Sequence, residues 1–577
     1  MNNILFKRIT NYLLLVFTLF LTIIILYTNI QSEGDYLEYF NAVTDAMFLA
    51  LFVLFCKKKG CIYVYLSIIT LYILSIVWYF RTYSTIMPLS SYLLIDNLKG
   101  LGPSIIHSIR LSDIILIFPI CLYFIFYEWA YNKWLSVAHI NQKFQITIFL
   151  TCLLFVITTT SIPYWPNKRP FYEQPLYLFQ IISPSAIQKY GIINYWIYQV
   201  STLQPLTKEC KEYAHRFIKE MPKKQKVLSN NHKKNLILIL VESLQSWPID
   251  LKIEEEEITP YINRTIRDST TVYFPKVVPQ VKDGRSSDAQ LLINTGLLPL
   301  YTGAASSLCA TNTFPSLAFA LKEKGYTSIS FICDNRTFWN QGHTTIAYGF
   351  NKLYDRLQKD APKEAADENL FKSSLSILPQ EKHPFYAQLV TLSSHAPYSN
   401  PIITNSPLLR KKIKNDEVRN YLIAIQYVDK CIGNFIEELK EKGLYKNSII
   451  IITGDHEQMT FNNYENRIKL KAEDCFVPFI IINSPLKSQN TDCNFGQMDI
   501  YPSLLDLMGC TTYFWRGLGE SMFCNNVSNY STFRTNIATT SKNIPDSVKK
   551  YRNECWRISD ILLRMDYFRK HHCKSNS

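Results

Sequence analysis

The hydrophobic pattern divides the chain in two. Between Asn11 and about Thr160 it consists of apolar runs at 11–28, 41–56, 61–80, 112–131 and 145–160. A helix that crosses a bilayer needs about 20 apolar residues, so these runs predict five transmembrane helices in a membrane domain, residues 1–162. From about Thr207 the pattern changes to short apolar stretches separated by charged, amphipathic ones. NLILILVE, TSISFIC, FYAQLVTLSS, SIIIITGDH and VPFIIINSP have the form of buried strands. Between them lie helical stretches such as FPSLAFALKEKG and YLIAIQYVDKCIGNFIEELKEKG. In the latter, Leu422, Ile425, Cys431 or Ile432, Phe435 and Leu439 share a face, and Gly443 provides a stop. Such alternation predicts an α/β domain, a mainly parallel sheet covered by helices, over residues 231–530. Residues 163–230 form a juxtamembrane connector, first rich in proline and aromatic residues, then basic and helical. A basic amphipathic tail, 531–577, carries Trp556, Ile558, Ile561, Leu562, Met565 and Phe568 at helical spacing and is expected to pack on the domain rather than lie on the membrane.

Charge orients this arrangement. Lys7 and Arg8 precede the first run, Lys57, Lys58 and Lys59 fill the second loop, and Lys133 and Lys143 the fourth, whereas the first loop, QSEGDYLEYF, has no basic residue. The N-terminus is therefore expected in the cytoplasm and everything after the fifth run outside it. The first run is long, lacks a small-residue cleavage pattern and is followed by further spans, so it does not read as a removable signal. The net charge of +14 comes from juxtamembrane and tail segments and suits anionic lipid head groups. No nucleic-acid module is present. Of 14 cysteines, ten lie in the outer part at scattered spacings that give no zinc ribbon. Cys475 with Cys493 is the expected pair if disulfides form.

Four strand or loop ends carry chemistry. Glu242 follows the first strand and Asp455 and His456 follow the fourth, and a carboxylate there is costly to bury unless paired or metal-bound. Gly284-Arg285-Ser286-Ser287-Asp288 leads into a helix whose free N–H groups suit an anion, with Ser286 or Ser287 as nucleophile or cap. His395 follows the third strand. Each feature alone has a structural use: Glu242 and the serines as helix caps, the histidine as a hydrogen-bonded side chain, and Asp455-His456 as a loop capped by its own side chains. Together, a glutamate, a hydroxyl, an aspartate and a histidine at one sheet edge make a hard-to-borderline divalent site able to activate a serine for attack on phosphorus.

At VES (241–243), RSSD (285–288), FWNQ (338–341), SSHAPYS (393–399), GDH (454–456) and MDIYPSLLDLMG (498–509) the sequence resembles the alkaline phosphatase and sulfatase superfamily, and within it the lipoteichoic acid synthase type of membrane phosphoglycerol transferase. The resemblance implies one manganese-type ion, with magnesium or zinc as alternatives, held by Glu242, Ser286, Asp455 and His456. It implies His395 near the transferred phosphate. The family's nucleophile is usually the threonine of a Lys-Thr-Ser-Asp turn, for which this chain has Arg285-Ser286-Ser287-Asp288, leaving Ser287 as the fallback. In the family's head-group pocket a histidine and an aspartate precede a tryptophan, and an arginine follows it by two residues. Here Asp334 and Trp339 match, Ile332 stands in place of the histidine and Gln341 in place of the arginine, with Arg336 and His343 near enough in sequence to compensate.

Two features are missing. The Cys-x-Pro-x-Arg turn of sulfatases is absent, Cys309 in CATNTFP being the nearest candidate, and there is no second His/Asp cluster for a two-zinc hydrolase. The expected protein is thus a multi-pass enzyme of the bacterial cytoplasmic membrane with its catalytic domain outside. It would take a phosphoglycerol-type head group from a membrane phospholipid, through a phospho-serine on Ser286, to a glycan or polymer acceptor. Phosphoethanolamine transfer, phosphodiester or phosphomonoester hydrolysis and a non-catalytic binding role are the alternatives.

Overall fold

A computed structural model of the chain describes residues 2–30, 36–52, 58–83, 108–130, 191–202, 207–221, 233–358 except 302 and 337, 365–398 except 397, 406–457, 476–532, 538–540 and 544–570, with isolated positions at 56, 86, 89, 146–154 and 187. The chain divides into two compact units, one made of Met1–Leu93 and Leu101–Gln204 and the other running from Pro205 to Ser577.

The N-terminal unit contains helices α1 (Asn2–Asn29), α2 (Tyr36–Ala50), α3 (Lys59–Tyr83), α4 (Asp113–Ala130) and α5 (Ile192–Thr202). Within α1, α3 and α4 the segments Ile9–Asn29, Lys59–Arg81 and Asp113–Ala130 are long and apolar enough to cross a membrane. With 15 residues, α2 is shorter, and the run at 145–160 lies largely outside the described residues, so three of the five expected spans have a helix of spanning length. Leu15, Leu19, Ile23 and Leu26 of α1 are buried, as are Ala42, Ala46 and Ala50 of α2, a small-residue stripe that lets helices approach closely. Val64, Ile68, Leu71, Ile115, Phe118, Leu122 and Ile125 face outward, as lipid-facing side chains must.

Polar contacts sit among these apolar helices. Arg81 pairs with Asp113 at 2.7 Å, both nearly buried, and Trp78 Nε1–H donates to the same carboxylate at 2.9 Å. Asp45 of α2 accepts from the backbone N–H of Ile192 (2.6 Å) and Ile193 (3.3 Å) and so caps α5. Ile187, Ile192, Ile193 and Tyr195 are buried in the same cluster as α1 and α3. The stretch expected to be a connector thus contributes to the core of this unit. Its apolar positions have a helical period, and a buried acid from 147 residues earlier satisfies the helix start.

The C-terminal unit is built on an eight-stranded sheet: β1 (Asn235–Val241), β2 (Val272–Val278), β3 (Thr327–Ile332), β4 (Lys352–Tyr354), β5 (Phe385–Val390), β6 (Ser448–Gly454), β7 (Val477–Ile482) and β8 (Phe495–Gly496). The spatial order is β8-β2-β7-β6-β1-β5-β3-β4, and only β7 runs against its neighbours. Both faces are covered, which is why β1 and β6 are buried at every residue. Leu236, Leu238 and Leu240 point into one core and Ile237, Ile239 and Val241 into the other, a period of two. The second core is covered by the helices Ala366–Ile377 and Asp416–Glu441.

Beyond the five expected strands lie β2, β4 and β8. Pro275 interrupts the pattern of β2, and the register shifts between Phe274 and Val277 as the strand bulges around it. The helix Lys208–Glu220 packs on this unit, with Phe217 stacked on Tyr551 at 5.6 Å. The tail forms the helix Asp546–Arg564, whose Trp556, Ile558, Ile561 and Leu562 are buried in the first core. Its Arg552 reaches Asp499 at 2.6 Å and Glu520 at 2.7 Å. Cys493 is a free thiol and Cys475 lies outside the described residues; no disulfide occurs among the described cysteines.

Arg552→Ala leaves the fully buried Asp499 without its cation. Denaturant unfolding is expected to show a loss of about 3–5 kcal/mol.

Candidate active site and metal centre

Parallel strands β6, β1, β5 and β3 end at one edge of the sheet, where ligands bind in folds of this class. Val241 and Gly454 are register partners, so Glu242 and Asp455 leave adjacent strands side by side. Gly454 is required there, because a Cβ would lie 2.0 Å from the Leu244 carbonyl. Glu242, Asp455 and His456 are buried, with candidate ligand atoms all within 4.8 Å of one another.

The backbone orients this cluster. The N–H groups of Ser243 and His456 both donate to Asp455 Oδ1 at 2.7 Å. Ser243 Oγ donates to Glu242 Oε1 at 2.9 Å, and Ser243 itself sits at φ 53°, its carbonyl held by the Tyr421 hydroxyl at 2.9 Å. His456 Nδ1–H donates to the Glu457 carbonyl (2.8 Å), which leaves Nε2 facing Glu242 Oε1 (3.3 Å) and Asp455 Oδ2 (3.6 Å). This is the tautomer a metal-ligating histidine needs.

Ser286 opens the helix Ser286–Thr295, and its hydroxyl donates to Glu242 Oε2 at 3.0 Å. The preceding Arg285 is held at φ 46°, ψ −120°, a strained conformation for a residue with a Cβ. Its guanidinium meets Glu457 at 3.2 Å, and Asp288 Oδ2 accepts from the N–H groups of Lys282 and Gly284, both at 2.9 Å. Gly284 cannot carry a side chain, since a Cβ would lie 2.2 Å from Asp288 Oδ1. Ser287, by contrast, is buried and engaged with the Gly284 carbonyl (2.7 Å) and Ser306 (2.9 Å). The geometry therefore separates two serines that the sequence alone left equivalent.

Charge within the cluster is unbalanced without a cation. Burial, and then the charge of Glu242, push Asp455 up to about 7. Burial also opposes ionisation of Glu242, but His456 and His395 outweigh it and hold that carboxyl below its usual range. Burial works against a charged His456, yet Asp455 and Glu242 raise it to about 9. Asp455 Oδ2 is buried with no hydrogen-bond partner. Two carboxylates, an imidazole nitrogen and a hydroxyl at such separations fit a divalent cation of the manganese, magnesium or zinc kind.

Two families match the chain: lipoteichoic acid synthase N-terminal domain over residues 1–204 and sulfatase over residues 234–510. The chain is thus similar to the lipoteichoic acid synthases in both of its parts. The lipoteichoic acid synthase of Staphylococcus saprophyticus is 28% identical over 521 residues, covering 85% of this chain and 79% of that protein. That of Staphylococcus aureus is 27% identical over 585 residues, covering 91% and 88%. Among solved structures, lipooligosaccharide phosphoethanolamine transferase A of Neisseria meningitidis, an integral membrane protein, shares the fold with a TM-score of 0.52 at 13% identity, over 87% of this chain and 96% of that one. The expectation of a phosphotransferase-type enzyme stands with these similarities.

The remaining expected residues divide into two groups. His395 follows β5 on a turn whose Leu392 and Ser393 N–H groups donate to Asp367 (2.7 and 3.1 Å), and it lies near enough to Glu242 to favour that group's ionised form. Trp339 and Asn340 both have positive φ, and Gln341 follows them, buried against Gln290 of the Ser286 helix at 3.3 Å. Arg336 and His343 are exposed, and Arg336 is engaged with Asp355 at 2.7 Å, so the side chains expected to compensate for the missing arginine do not converge on the cluster. Asp334 is half-buried after β3, where its carbonyl accepts from the Arg356 N–H at 2.8 Å. Asp367, which supports the His395 turn, was missed in the sequence because an acid in the first turn of a helix looks like an ordinary terminus.

With Asp455 pushed up to about 7 and His456 to about 9, a divalent cation bound here would displace their protons. Affinity for Mn2+ is therefore expected to rise between pH 6 and 9, by up to about tenfold per pH unit for each proton released. Calorimetric titrations in buffers of different ionisation enthalpy would show that release; a flat profile would contradict this charge balance.

Proposed function

We propose that this enzyme moves a phosphoglycerol-type head group from a membrane phospholipid to a glycan or polymer acceptor, on the outer face of the bacterial cytoplasmic membrane, with Ser286 as nucleophile. The observation that carries this reading is the Ser286 hydroxyl, 3.0 Å from Glu242 within the Glu242/Asp455/His456 cluster and at a helix N-terminus. The lipoteichoic acid synthases to which the chain is similar support the choice of chemistry.

Ser286 Oγ forms a bond to the donor phosphorus while the phosphorus–oxygen bond to diacylglycerol breaks. The departing oxygen leaves as an alcohol, its proton delivered from the side of His395. An acceptor hydroxyl then attacks the same phosphorus, and Oγ departs and regains a proton. Glu242 Oε2 receives the hydroxyl's hydrogen bond and orients Oγ, and the strained Arg285 turn fixes the approach of the chain. A divalent cation held by Glu242, Ser286, Asp455 and His456, most simply Mn2+, would supply the positive charge that acidifies the hydroxyl and offsets charge on the phosphate oxygens. The N-terminal helices keep the enzyme where its lipid donor is.

With acyl-labelled phosphatidylglycerol in mixed micelles, Ser286→Ala is expected to lower diacylglycerol release on the order of a thousand-fold or more, and Ser287→Ala less than about tenfold. Near-normal release by Ser286→Ala would refute the assignment. Free head group without acceptor-linked product would indicate hydrolysis, and preference for phosphatidylethanolamine would replace the head group.

A further inference from the structure

Beneath the nucleophile helix runs a line of buried amides. Tyr386 of β5 donates its hydroxyl to Asn294 Oδ1 (3.0 Å), Asn294 Nδ2 donates to Gln388 Oε1 (2.8 Å), Gln388 Nε2 to Gln290 Oε1 (3.1 Å), and Gln290 Nε2 to Gln341 Oε1 (3.3 Å). All five side chains are at least nine-tenths buried. A primary amide is a donor at one end and an acceptor at the other, so one fixed member orients every other. Asn294 is that member. Its Nδ2 also donates to the backbone carbonyl of Gln290 at 2.9 Å, and reversing the amide would place two carbonyl oxygens face to face. Gln388 must then present its oxygen to Asn294 and its nitrogen to Gln290, and Gln290 its nitrogen to Gln341.

Gln341 is thereby obliged to accept with its Oε1 and to hold its Nε2 on the side away from Gln290. That nitrogen has no hydrogen-bond partner among the described residues. Gln290 lies four residues after Ser286, one turn along the same helix, about 6 Å of axis. We propose that Gln290, Gln388 and Asn294 act as positioning residues, a relay that fixes Gln341 as a neutral donor to an oxygen of the phospholipid head group beside Ser286. This rests on the functional reading above and adds the basis of head-group selection: a polyol hydroxyl accepts from this amide, whereas a head-group ammonium, donor only, does not.

The relay also accounts for the residue type at 341. A guanidinium has five donors and no acceptor, so an arginine there would meet the Gln290 donor end-on and leave it unpaired. Gln341 and Gln290 are therefore coupled, and only an acceptor at 290 accommodates an arginine at 341.

The test uses the full-length enzyme with Mn2+ in phosphatidylglycerol micelles. Gln341→Arg and Gln290→Glu are each expected to lower Tm by several degrees, the first by opposing donors and the second by burying an unpaired carboxylate, and the double variant to recover most of both losses. Additive losses would overturn the relay whatever the substrate. Gln290→Leu and Gln341→Leu are each expected to raise KM for phosphatidylglycerol about tenfold with a smaller fall in kcat and unchanged Mn2+ affinity. A silent Gln290→Leu beside an impaired Gln341→Leu would overturn the positioning role. If the wild-type enzyme turns over no phospholipid, the functional reading falls and takes the head-group contact with it, and the Tm comparison still decides the relay.

Discussion

Two carboxylates at the ends of neighbouring parallel strands cannot both remain ionised in a dry site without a positive charge between or beside them. Glu242 and Asp455 are in this position because β1 and β6 are register partners to their last residues. The protein meets the constraint in part with its own groups: backbone N–H donors for Asp455 Oδ1, the Ser243 and Ser286 hydroxyls for Glu242, and the His456 imidazole facing both carboxylates. What is left over, an Asp455 oxygen without a hydrogen-bond partner, is what a divalent cation would complete. The sheet order, with only β7 reversed, places the nucleophile turn and the His395 turn at the same edge.

Rigidity around this cluster comes from parts of the chain far away in sequence. Gln497 Nε2 donates to the Asp455 carbonyl at 2.6 Å, and the neighbouring Asp499 accepts from Gly496 and Glu520 N–H groups and from Arg552 of the C-terminal helix. The same helix brings Trp556 within 4.8 Å of the Lys282 ammonium, which lies between Trp556 and Tyr301 in the segment leading to Ser286. A helix beyond the sulfatase match, which ends at residue 510, thus braces both the strand end that carries Asp455 and the loop that leads to Ser286. A few tenths of an ångström at either would alter the Ser286–Glu242 contact, so the tail belongs to the site's support although it supplies no reacting group.

Much of this was legible in the sequence because burial on both faces writes parallel strands as continuous apolar runs. NLILILV and SIIIITG could be placed, and with them the position of Glu242, Asp455 and His456. The β2 strand was not, because Pro275 breaks its pattern and its pairing partner lies about 200 residues away. Ser286 and Ser287 look alike in sequence, and what separates them is Glu242, 44 residues distant, and Ser306, neither of which a local pattern reveals. The same holds for α5, whose start is capped by Asp45 from 147 residues earlier. Gln341 could be seen as a departure from the family's arginine, but its place in a line of buried amides depends on side chains from one strand and two helices.

The central claim, that Ser286 is the residue that carries the transferred group within a cation-binding cluster, is tested most directly by the intact mass of the full-length protein after brief incubation with Mn2+ and mixed phospholipids, followed by peptide mapping. The account predicts a mass gain equal to a phosphorylated head group, localised to Ser286 and absent when the metal is chelated. An adduct on Ser287, or none on an enzyme that binds Mn2+ and turns over lipid, would contradict it.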